Sequence, residues 1–157
     1  MYTVGIGAKG HRLSGLLEGN LPAGLREKTV LRPLEALPEG MPPDLIVAAP
    51  DWGQGAGDRP CRCLLLPGAV GALTGTASAG WVVSYGLDRR DTLTLSSIGQ
   101  GRLWAALQRE IVTLDGTTVE RQELPLPCRT GLPPLLALAC VGGQLLLGVP
   151  PEEVRVL

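Results

Sequence analysis

W-V-V-S-Y-G-L-D-R-R-D-T-L-T-L-S-S-I, residues Trp81–Ile98, decides the fold, because the hydrophobic period changes inside it. Trp81–Tyr85 is apolar on both faces, as a strand in a parallel sheet covered on both sides must be. Gly86 marks a turn, and Asp88-Arg89-Arg90-Asp91 reads as a charged, solvated loop. From Thr92 to Ser96 threonine and leucine alternate, which predicts a half-buried strand with Leu inward and Thr outward. A parallel part therefore hands over to antiparallel strands within this one stretch.

Upstream, Asp44–Ala49 and Arg62–Leu66 are continuous apolar runs of strand length. Tyr2–Ile6 is a β-rich run leading into a glycine loop, and Leu13, Leu16 and Leu17 have helical spacing. Lys28–Leu31 predicts a second short strand, and Leu34–Leu37 a helical turn before the Pro/Gly-rich Pro38–Pro43. Ala69–Ala79 predicts a short crossover helix, weakened by Gly71 and Gly75 at ~1 kcal/mol each relative to Ala.

Downstream, Arg102–Leu107 and Arg109–Leu114 extend the meander. Asp115-Gly116 is the strongest hairpin signal, with Thr117–Leu124 as the returning strand. Pro133-Pro134 open a helix over Leu135–Leu147 that is apolar nearly all round; Gly142-Gly143 offer it a bend, and Gly148 ends it. Pro150–Glu153 predicts a final short helix. The expected architecture is one α/β domain over 1–157: a Rossmann-like, mostly parallel sheet with flanking helices (about 1–87), an antiparallel β-meander (about 91–127) and C-terminal helices (about 132–157).

Composition narrows the function. The chain has 157 residues, enough for one real core, and 45% of them are apolar. Aromatics are 3% and Phe is absent, so the core is aliphatic and few faces exist on which nucleic-acid bases could stack. A net charge of −1 with no basic block disfavours nucleic acid and anionic membrane as partners. The abundance of Arg over Lys, together with Ala, Gly and Leu, fits a GC-rich genome. Cys61, Cys63, Cys128 and Cys140 form no disulfide framework, and with His11 the single histidine a zinc site is not expected. Cys140 reads as a small core residue. No signal peptide and no spanning apolar run is evident, which predicts a cytoplasmic protein.

The Gly5-Ile6-Gly7-Ala8-Lys9-Gly10 run satisfies G-x-G-x-x-G between a strand and a helix, the pattern that brings backbone N–H groups and a helix N-terminus to a phosphate. The acid that would meet a ribose hydroxyl is missing from the expected place. Glu27 precedes the second strand, and Arg32 stands where that acid belongs, suited instead to the 2′-phosphate of NADP. The competing reading is a strand-to-helix turn that simply needs small residues.

The order strand, Tyr85-Gly86-Leu87 turn with Asp91, meander, L-P-L-P lead-in at Leu124–Pro127, Ala/Leu-rich helix, Leu147-Gly148-Val149 and Glu152-Glu153 resembles the second half of the middle, ATP-binding domain of the Mur ligases, the peptidoglycan-precursor amide ligases. The resemblance is carried mainly by residues 81–154. It implies the α/β fold above, and it implies where ATP chemistry would reside. The family's phosphate loop is Gly-x-x-Gly-Lys-Thr; here Gly7-Ala8-Lys9-Gly10-His11-Arg12 puts His11 at the Lys position and Arg12 at the Thr position. The family's Asn and Asp-His landmark is represented by Pro50-Asp51-Trp52-Gly53, with Asp51 the one acid left. Its Asn-x-Asp-Asp strand end is Pro67-Gly68, and its Asn and His before the last helix are Thr130 and Gly131. Losing the ammonium and the Mg²⁺-holding hydroxyl removes the charge that stabilises phosphoryl transfer.

The expectation is therefore a non-catalytic, Mur-ligase-like binding or scaffold domain with no cofactor, working with a protein partner or by self-association through the meander's edge. The alternatives are a nucleotide- or dinucleotide-binding enzyme on the Gly5–Gly10 loop, taking ATP or NADP through Lys9, His11, Arg12 and Arg32, and a homo-oligomeric structural protein. Asp51 with Asp58 flanks a Gly-rich loop in which Trp52 is a candidate ligand or partner contact; Arg89 and Arg90 are candidates for an anion. Ser96-Ser97 has no histidine nearby in sequence to activate it.

Overall fold

Runs apolar on both faces sit at the centre of the sheet, and alternating runs sit towards one edge. The computed structural model describes residues 1–52, 59–71 and 78–157. In chain order it contains β1 (Tyr2–Gly7), α1 (Arg12–Asn20), α2 (Ala23–Arg26), β2 (Thr29–Pro33), a 3₁₀ turn (Leu34–Ala36), β3 (Leu45–Ala48), β4 (Cys61–Pro67), α3 (Gly68–Gly71) and β5 (Ala79–Gly86). It continues through β6 (Leu93–Gly99), β7 (Arg102–Leu107), β8 (Ile111–Val112), β9 (Thr118–Val119), β10 (Gln122–Pro127), α4 (Pro134–Leu146) and a last 3₁₀ turn (Pro151–Glu153). The fold is α/β and Rossmann-like: an eight-stranded sheet in the order β10-β7-β6-β5-β4-β3-β1-β2, beside a two-stranded sheet, β8-β9. Every pair from β2 across to β6 is parallel, and β6-β7-β10 is antiparallel.

The join between the two parts lies in the Trp81–Ile98 stretch. β5 and β6 pair only at Tyr85↔Leu93 and Gly86↔Thr94, so β6 begins where β5 ends. A full parallel crossover needs a dozen or so residues; this stagger lets the short 87–92 turn suffice. Asp91, expected in a solvated loop, is instead buried at 6% exposure and accepts the Asp88 N–H at 3.1 Å. A Cβ on Gly68 or Gly86 would overlap its carboxylate, so both glycines are required by the buried acid. Thr92 and Thr94 are likewise buried rather than outward-facing. Thr92 receives Arg109 Nη1 on its hydroxyl, and its N–H donates to Ser84 Oγ.

The predicted return strand over Thr117–Leu124 divides. Thr118–Val119 pairs with Ile111–Val112 around the Asp115-Gly116 turn, whereas Gln122–Pro127 leaves that hairpin and pairs with β7. The hairpin is therefore an insertion in a three-stranded meander. Its turn is held by Asp115, which accepts from Thr113 Oγ1 and from the Thr117 N–H, and by Gly116 at φ 88°. The meander's free edge is poor in donors. Cys128 N–H bonds inward to Gly101 O, which by alternation leaves Pro125 and Pro127 facing outward without an N–H, and Val156 pairs over the end.

Most of the core lies on one face of the sheet, under α1 and α4. α4 is buried from Leu136 to Leu146. Gly142 and Gly143 are contact points: a Cβ would come within 2.8 Å of Leu65 Cδ2 and 3.2 Å of Leu17 Cδ1, respectively. On the other face, among the described residues, Leu34, Leu37 and Trp52 pack over Ile46, Ala48, Cys61, Leu64 and Leu66. The crossover predicted over Ala69–Ala79 starts as α3, and its 72–77 portion lies outside the described residues. No helix among the described residues is long and apolar enough to cross a membrane.

Candidate functional site

β2 lies on one side of β1 and β3 on the other, so the chain's direction of travel across the sheet reverses there. Connections leaving opposite faces at such a point open a crevice beyond the carboxyl ends of the strands, the usual ligand position in open α/β sheets. The Ala49 N–H to Gly7 O bond, 2.7 Å, is the last tie between the two strand ends. Beyond it the chain parts around a cleft of about 260 Å³, lined by apolar Ala8, Leu13, Ala49, Pro50, Pro133 and Leu136 and by His11, Arg12 and Asp51.

The glycines of the loop above this cleft have separate tasks. Gly5 is packing space: a Cβ would fall 2.8 Å from Leu37 Cδ1 and 3.0 Å from Leu34 Cδ1. Gly7 lies under the indole of Trp52, whose ring atoms would be 3.0 Å from its Cβ, and Gly10 faces open space. None of the three adopts a left-handed φ, nor does any residue between them. One kind of phosphate nest is built from successive N–H groups in alternating right- and left-handed conformations. This loop does not form that kind.

What it does form is the start of α1. His11 occupies the N-cap with no side-chain cap bond, and no acid stands in the first turn. α4 begins in the same way behind Pro133. Both helix starts border the cleft, each with the partial positive charge of free N–H groups.

Lys9 is exposed and borders a second, smaller cleft of about 140 Å³ on the β2 side, with Gly10, Ser14, Pro33 and Glu35. Arg32 is exposed and pairs in register with Gly5, below the loop, and is not among the residues lining either cleft. The first acid after β2 is Glu35, exposed in the 3₁₀ turn that follows the strand and on the lining of this smaller cleft. The strand runs to Pro33 rather than Leu31, and extending it by that much would have exposed the signal.

Asp51 is exposed on the β3 side. Behind it Tyr85 is buried and donates its hydroxyl to Ala48 O at 2.6 Å; burial first, and the Asp51 charge second, push the phenol pKa up. Trp52 is half-buried, and its Nε1 is enclosed without a hydrogen-bond partner among the described residues. Asp58, the other half of the suggested acid pair, lies outside the described residues.

Arg89 and Arg90 are brought to a different place. Arg90 forms an exposed ion pair with Asp88 at 3.3 Å, which holds the Asp88 carboxyl below its ordinary range. That turn borders a separate hollow with Gly68, Tyr85 and Leu135.

Groups suited to covalent or proton-transfer chemistry are not assembled among the described residues. Burial pushes Cys61 up to about 11 and Cys140 up to about 12, and raises Cys63 further, so none of these three is a ready nucleophile. Ser96 is exposed and bonds Glu123 at 3.1 Å. His11 and Asp51 border one cleft without a hydrogen bond or ion pair between them among the described contacts. Among the described residues no group of three or more His, Cys, Asp and Glu side chains could hold a metal ion. Compared with protein-family models, with the curated proteins and with the solved structures, the chain matches none.

Proposed function

We propose that this chain is a non-catalytic binding domain of the Mur-ligase-middle-domain type that receives a small ligand between the ends of β1 and β3. The observation that carries the reading is the cleft itself: apolar walls and, among the described residues, charges without an ion-pair partner at the switch point, beneath a glycine loop without a left-handed residue. Ligase chemistry would need an ammonium and a Mg²⁺-binding hydroxyl at His11 and Arg12. Calorimetry with ATP–Mg²⁺ tests the loss: micromolar binding or any turnover overturns it. A thermal-shift screen of small metabolites tests the cleft, and its hits should disappear in Ala8→Leu, which fills the wall. Four buried free thiols agree with a reducing cytoplasmic setting.

One observation favours nucleotide binding as the second reading. Glu35 in the small cleft stands on the β2 side, where a ribose hydroxyl would be met in a dinucleotide site. On that reading NAD(H) raises the melting temperature by linkage, and Glu35→Ala abolishes the rise. An unchanged melting temperature with every dinucleotide removes it.

A further inference from the structure

We infer that a second copy of this chain packs on the outer face of the meander, as a two-fold dimer centred on Trp104. Leu103, Ala105, Leu124 and Leu126 turn inward to the core, so the residues between them form the opposite face of β7 and β10. Register sets Ser97, Trp104 and Pro125 side by side across the middle of that face. Trp104 is 42% exposed, and its neighbours Ser97 and Pro125 are exposed as well. An accessible indole beside a proline on a rigid sheet is the anchor type on which protein interfaces are built.

Charge chooses the occupant. Arg102 stands two residues to one side of Trp104 on β7, and Glu123 two residues to the other side of Pro125 on β10, both exposed. The face therefore carries a cation at one end, an indole in the middle and a carboxylate at the other end. A two-fold axis running across the strands at Trp104 reverses the second copy. Each Arg102 then meets the partner's Glu123 one strand over, about 5 Å sideways, within reach of two long side chains. A two-fold along the strands would set Arg102 against its own copy, which like charge disfavours. A partner of one sign would satisfy only one end. Both sheet edges also turn a second copy away: β10 presents Pro125 and Pro127, and β2 ends in exposed Arg32 and Pro33.

Sedimentation velocity of the whole chain over a range of concentrations tests the inference, with a dimer expected as concentration rises. Trp104→Ala should weaken it at least about tenfold, because the two-fold removes both anchors at once. Arg102→Glu and Glu123→Arg should each dissociate it, with the urea midpoint little changed. Within one chain these two residues lie four apart along the register, about 13 Å, too far to pair with each other. The two single variants, each repelling itself, should therefore form a heterodimer when mixed. A monomer at every concentration overturns the inference. So does a dimer indifferent to Trp104→Ala and to both reversals, which would use another surface. Single variants that dissociate but stay monomeric when mixed overturn the pairing of Arg102 with the partner's Glu123 and the two-fold built on it.

Discussion

Two glycine-marked turns leave the carboxyl edge of the same sheet, and they use glycine in opposite ways. After β1, Gly5 and Gly7 yield room to Leu34, Leu37 and Trp52, side chains with somewhere else to go, and Gly10 yields room to nothing. After β5, Gly86 yields room to the buried carboxylate of Asp91, which also presses against Gly68 and accepts the Asp88 N–H. The β1 turn carries the better-known sequence pattern and the looser structure. The β5 turn has the sequence of an ordinary charged loop, yet it joins β4, β5 and β6. A glycine in a sequence announces that something comes close; it does not say what, or how replaceable the neighbour is.

The largest effect should therefore fall on the β5 turn. Gly86→Ala forces a methyl into a carboxylate held between two strands, and Asp91 cannot withdraw without leaving its Asp88 partner. Overpacking together with a lost buried hydrogen bond predicts a cost of about 3 kcal/mol, read as a lower urea midpoint with unchanged slope. Gly68→Ala should behave alike. Asp91→Ala in the Gly86→Ala background gives the decisive control, because removing the carboxylate should recover part of the loss. Additive costs would show that Asp91 is not what Gly86 accommodates.

Gly5→Ala should cost less, about 1 kcal/mol, since the atoms in the way are the methyl ends of Leu34 and Leu37. Gly7→Ala meets the Trp52 ring and should move it, changing tryptophan emission as well as stability. A fluorescence change without loss of stability would mark the ring over β1's last residue as adjustable. A cost at Gly5 equal to that at Gly86 would break the contrast between the two turns.

The same contrast decides what is legible in the sequence. β3, β4 and β5 are legible because Leu45–Ala48, Cys63–Leu66 and Trp81–Val83 are continuous apolar runs of strand length, although Val82 is left exposed. α4 is legible from Pro134 at its start and Gly148, at φ 100°, past its end. Partner choice is not. Nothing local in Gln122–Pro127 says that it pairs with Arg102–Leu107 rather than continuing the Asp115-Gly116 hairpin, since both partners offer a matching alternation. Asp91 escapes a local reading for the same reason: its burial depends on Gly68, which arrives from another strand. At the site, the candidates Asp51, His11 and Arg12 do border one cleft. Glu35 is hidden by the strand boundary, and Arg32 sits a register below the place its sequence position suggests.

The smallest expected effect is the sharpest test of the β1 turn. A Cβ on Gly10 would have nothing within 4 Å, and the backbone there lies outside the left-handed region, so an alanine fits the native conformation without strain. Alanine also restricts the unfolded chain, which at compatible sites stabilises by ~0.4–1 kcal/mol. Gly10→Ala should thus be neutral to slightly stabilising. In a phosphate loop the same change would crowd a bound anion and strain the turn. A destabilised Gly10→Ala variant, or one that loses binding of a nucleotide, would mean that the loop closes around a phosphate after all, and the difference between the two turns would then be one of occupancy rather than of construction.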